Sequence, residues 1–121
     1  MIWMKWSTVF MFLGVALGAF GAHGLRDKLT PQSMEIYKTG VLYHFVHALA
    51  LCAVAWLSTT IGGDKVTGAG ISFISGIILF SGSLYALAVT GIKPLGMITP
   101  IGGLAFLLGW LLLFFSVKGI A

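Results

Sequence analysis

Charged residues divide this chain into four uncharged stretches of membrane length. Lys5 precedes the first, and Arg26, Asp27, Lys28, Glu35 and Lys38 separate it from the second. Asp64 and Lys65 stand before the third, Lys93 before the fourth, and Lys118 after it. At about 1.5 Å per residue, a helix of roughly twenty apolar residues crosses a hydrocarbon core of about 30 Å. The pattern predicts spans at 6–25, 40–59, 67–90 and 97–117. The expected fold class is therefore all-α: an integral membrane bundle of four transmembrane helices, forming one domain over residues 1–121. A cleaved signal peptide is the rival reading of the first stretch, with Lys5 as a minimal basic region and small residues near Ala19 to Ala22. The stretch is longer than a usual signal core, and its small residues have a better use in packing.

The polar connections carry helix start and stop signals. Thr30 followed by Pro31 predicts a helix start, with the hydroxyl as N-cap and proline at the first helical position. A helix from Pro31 to Ser58 would be about 40 Å long, so its first turns, with Glu35 and Lys38, are expected to project into the interface. Tyr37 and Tyr43 suit headgroup level. Ile61 to Val66 (IGGDKV) and Gly91 to Gly96 (GIKPLG) are tight turns. Pro100 either sits in the first turn of the last helix or kinks it, and Gly102 and Gly103 are expected to leave a groove beside it.

Lipid offers apolar side chains no drive to associate, so small residues at a spacing of four mark helix contacts. Gly14, Gly18 and Ala22 form such a ridge in the first span, and Gly68, Ser72 and Gly76 form another in the third. The second half of the last span, from Leu104 to Phe115, is expected to face lipid or another copy of the chain.

Composition sharpens this picture. Hydrophobic residues make up 59% of the chain and charged residues 8%, against about 25% charged in soluble domains. The formal charge is +4, but the basic residues are scattered, unlike a phosphate-binding patch for nucleic acid. They read as contacts to membrane lipids and as orientation signals. Lys5, Lys65 and Lys118 on one side nearly balance Arg26, Lys28, Lys38 and Lys93 on the other, so this count does not orient the chain. The single cysteine, Cys52, excludes an intramolecular disulfide.

Candidate chemistry centres on Gly40 to Leu51, where His44 and His47 lie on one helix face with Tyr37 and Gly40. His23, His44 and His47 are the groups at membrane depth whose ordinary titration range is near neutral, which makes them functional candidates. Neutral imidazole also serves as a cross-helix hydrogen bond in a bundle rich in glycine and serine. Ser81, Ser83 and Tyr85 in FSGSLY add further polar groups. A metal site needs three or four converging ligands, and no cysteine pair or intramembrane carboxylate accompanies the histidines. A serine nucleophile lacks an oriented base and an oxyanion hole. Expected, then, are no enzyme activity, no cofactor and no metal. Two readings follow: a homo-oligomeric membrane component that holds a lipid or small hydrophobic ligand, and a small channel or transporter. The second requires Tyr43, His44, His47, Ser81 and Tyr85 to line one continuous polar path.

Four blocks in order, GAFGAHGL at Gly18 to Leu25, YHFVHALAL at Tyr43 to Leu51, FSGSLYALAVTG at Phe80 to Gly91 and ITPIGGLAFLLGW at Ile98 to Trp110, resemble the YgdD/YwdK-like family of small bacterial inner-membrane proteins. The resemblance covers nearly the whole chain. It implies a four-helix protein of the inner membrane with no assigned activity and with both termini cytoplasmic. It also implies glutamine at the position of His44 in many relatives, which gives His47 the better claim to a family-wide role.

Overall fold

The computed structural model describes residues 1–117, so Lys118 lies outside the described residues. Helix one is Ile2–His23, helix two Pro31–Thr60 and helix three Asp64–Thr90. A 3-10 turn at Lys93–Met97 leads into helix four, Thr99–Ser116. These helices are long and apolar enough to cross a membrane. The chain is an all-α integral membrane bundle of four transmembrane helices.

Local chemistry sets the helix ends. The Thr30 hydroxyl oxygen accepts the Ser33 N–H at 3.1 Å, with Pro31 in the first turn. Helix two stops at Gly62 and Gly63, whose φ angles of 59° and 97° disfavour any side chain, and Gly91 closes helix three at φ 70°. Helix one begins at Ile2, ahead of Lys5, which fits within the helix and can extend its ammonium toward water. Pro100 lies in the first turn of helix four, where its missing N–H costs nothing.

Helix two is the organising element. Helix one packs on one side of it, helix three on the other, and helix four lies chiefly on helix three. Half of the apolar window of helix two is buried, against 11% in helix one. The core runs through Phe10, Leu51, Val54, Phe73, Ile77 and Phe106. Outward, Phe12, Val15, Leu104, Leu107, Leu111 and Phe114 are exposed, as suits side chains solvated by lipid.

Glycines allow the close approaches. A Cβ on Gly14 would lie 2.9 Å from the Phe45 ring and one on Gly18 would lie 3.6 Å from Val41, so both face helix two. Ala22, the third member of that ridge, is exposed instead. Gly68 faces Leu112 and Gly76 faces Phe106 of helix four, with Ser72 buried between them on the same stripe.

Helix three contains a feature with no sequence signal. Ile77–Ser81 forms a π turn, closed by the Gly82 N–H on the Ile77 carbonyl. Glycines of both neighbours meet this region. A Cβ on Gly40 would touch Tyr85 and Leu84, and one on Gly102 would overlap the Phe80 backbone nitrogen. Gly102 is thus filled by main chain rather than bordering a groove, and only Gly103 opens onto one. Tyr37 is 3% exposed, and its hydroxyl donates to the Leu17 carbonyl of helix one, so it closes the helix-one contact.

Candidate functional site

Residues three apart on a helix differ by about 60° in direction, enough to send His44 and His47 toward different neighbours. His44 points between helices one and three. Its Nε2 lies 2.7 Å from the Phe10 carbonyl, which can only accept, so Nε2 carries the proton. Nδ1 then accepts from the Tyr85 hydroxyl at 2.8 Å. His47 has the opposite tautomer. Its Nδ1–H donates to the Tyr43 carbonyl at 2.8 Å, and its Nε2 accepts from the Trp110 indole N–H of helix four at 3.0 Å. His44 joins helix two to helices one and three, and His47 joins it to helix four while its other nitrogen bonds back within helix two, so both rings use both nitrogens in a neutral form. Burial is nearly complete, at 2% and 4% exposure.

The hydroxyls behave in the same way. Ser81 donates to the Gly40 carbonyl of helix two at 2.7 Å. Ser83 lies 2.9 Å from the Phe80 carbonyl, so its proton goes there and its oxygen accepts from Thr99 at 2.6 Å. Ser7 donates to the Ala48 carbonyl at 2.7 Å, beside Cys52 Sγ at 3.0 Å. Among the described residues, no buried side-chain nitrogen or oxygen lacks a partner. Neither Ser81 nor Ser83 meets a histidine or carboxylate in these bonds, so neither has a base to activate it.

The sequence-predicted residues divide into separate places. His23 is exposed at the end of helix one, about 20 Å along the axis from Phe10, where His44 is held. It therefore does not join the pair. Among the described residues no three His, Cys, Asp or Glu side chains come together as metal ligands would. His44, Tyr85, Ser81 and Ser83 are buried or half-buried contacts within the bundle. Tyr43 is 40% exposed and stands over Phe80, with ring centroids 4.6 Å apart.

Two open cavities flank this interior. One, of about 560 Å³, lies on the outer face between Tyr43, Phe80, Gly103, Leu107 and Trp110, with His47 in its wall. His47 stacks on Phe106 there at a centroid separation of 3.5 Å and an interplanar angle of 10°. The other, of about 510 Å³, lies between helices one and two and is lined by Gly18, Ala22, Val41 and Phe45, with Arg26 and Lys38 also in its lining. Sequence reasoning missed Ser7, Trp110 and this second cavity. The usable signal for Trp110 was its indole N–H, a donor that needs a partner in an apolar surrounding.

Comparison with known proteins agrees with this architecture. Residues 17–103 match a family described as protein of unknown function (DUF423). The chain is 51% identical over 102 residues to the UPF0382 membrane protein YwdK of Bacillus subtilis, covering 84% of this chain and 83% of that one. It is 46% identical over 112 residues to a UPF0382 membrane protein of Staphylococcus epidermidis, covering 87% and 91%. A UPF0382 membrane protein of Haemophilus influenzae is 45% identical over 100 residues, covering 83% and 80%. No solved structure matches the chain. With a family match over most of its length and relatives named as membrane proteins, this four-helix chain belongs to the DUF423 family.

Proposed function

We propose that the protein is a non-enzymatic, homo-oligomeric component of the bacterial plasma membrane that holds a lipid or small hydrophobic ligand at its outer surface. One observation carries this reading: among the described residues the interior polar groups are spent on one another and on main chain, while the two cavities beside them open outward on largely apolar walls. A polar path would need Tyr43, His44, His47, Ser81 and Tyr85 to share one cavity. Of these, Tyr43 and His47 line the outer groove, and His44, Ser81 and Tyr85 do not. Both termini lie in the cytoplasm in this reading. The exposed face of helix four, with Leu104, Leu108, Leu111 and Phe115, supplies the contact between copies.

The test is purified protein in liposomes that enclose a pH dye. Wild type and His47→Ala are expected to show no proton or weak-acid flux above empty liposomes, with His47→Ala less heat-stable. Flux that His44→Ala/His47→Ala abolishes in a folded protein would overturn the reading in favour of a transporter. Crosslinking in native membranes is expected to trap dimers or larger species. Monomer alone would remove the oligomeric part.

A further inference from the structure

The cavity between helices one and two has a polarity that the other lacks. Its walls are apolar: Gly18, Gly21 and Ala22 on helix one face Val41 and Phe45 on helix two. Glycine and alanine at these positions leave a slot where larger side chains would fill the helix contact. One end carries two cations, Arg26 just past the end of helix one and Lys38 in the early turns of helix two. The carboxylates of the same connection, Asp27 and Glu35, do not line it. Between Lys38 and Phe45 the slot extends about 10 Å along the axis of helix two, from the charged end toward the apolar layer. Its volume of about 510 Å³ lies within the range of about 300–1,000 Å³ common for small-molecule sites.

We infer that this slot binds one anionic phospholipid, with its phosphate between Arg26 and Lys38 and an acyl chain along Gly18, Ala22, Val41 and Phe45. Charge complementarity selects the occupant. Two cations sit where a lipid phosphate lies, and the apolar slot below them runs in the direction of its chain. Arg26 offers a planar fork for the phosphate oxygens and Lys38 a point charge beside it. The inference rests on the ligand-holding reading above and specifies the ligand.

Native mass spectrometry of the full chain from detergent, with graded phosphatidylglycerol or phosphatidylcholine added, tests it. Wild type is expected to retain one phosphatidylglycerol at least about fivefold more than phosphatidylcholine. Arg26→Gln/Lys38→Gln should lose that preference, and Ala22→Phe, which fills an exposed wall position, should lose the bound lipid. Lys28→Gln removes a charge outside the slot and should behave as wild type. Equal loss in Lys28→Gln, or unchanged preference in Arg26→Gln/Lys38→Gln, would overturn the inference. Equal retention of both lipids, removed by Ala22→Phe, would overturn the anionic selectivity and leave the ligand-holding reading standing. Retention of neither lipid would sink both. A dimer lost in Ala22→Phe, with no lipid retained in wild type, would assign the slot to a second copy and overturn the inference.

Discussion

Gly102→Ala is expected to destabilise the bundle by about 3 kcal/mol, the upper range for overpacking a filled contact. The added methyl would overlap the Phe80 backbone nitrogen and lie 2.7 Å from the Phe80 Cα. Backbone cannot rotate aside as a side chain can, and this backbone belongs to the π turn, against which helix four packs. Gly103→Ala is the matched control. Its methyl would lie 3.7 Å from Phe80 Cδ2, an ordinary contact. There the better helix propensity of alanine should leave stability unchanged or raise it by up to about 1 kcal/mol. Denaturation in mixed micelles by titration with dodecyl sulfate reads both. Equal behaviour of the two variants would contradict the close approach at Gly102.

His44→Leu is expected to cost about 2 kcal/mol in the same assay, because the Tyr85 hydroxyl is left without its acceptor in an apolar interior. Adding Tyr85→Phe removes the orphaned hydroxyl, so the double variant should recover part of the loss, with a coupling of about 1 kcal/mol between the two sites. A double variant whose loss is the simple sum would mean that the pair does not interact. The Phe10 carbonyl gives no comparable penalty, since its backbone partner within helix one remains.

Much of this architecture is legible in the sequence for physical reasons. Charges are costly inside hydrocarbon, so the positions of Arg26, Lys38, Asp64 and Lys93 fix the number of crossings. Thr30 and Pro31 announce a helix start because a cap and a missing N–H have only one good use there. Periodicity, however, gives the face a residue occupies and not the partner it meets. It placed His44 and His47 on one stripe but could not show that 60° between them separates Tyr85 from Trp110. It could not show that the absence of a side chain at Gly21 lets the Tyr37 ring seat against helix one. The π turn at Ile77–Ser81 is silent because IILFS suits an α-helix equally well. The cationic slot was hidden for another reason: Arg26 and Lys38 come to line one cavity only when helices one and two fold back on each other.

His44 and His47 serve as neutral, oriented cross-helix bonds. Nitrogen-15 chemical shifts of both imidazole rings in the reconstituted protein at pH 7 test this most directly. The structure predicts His44 protonated at Nε2 and His47 at Nδ1, each as one tautomer with its other nitrogen accepting a hydrogen bond. A ring protonated on both nitrogens, or a mixture of tautomers exchanging in either ring, would contradict it.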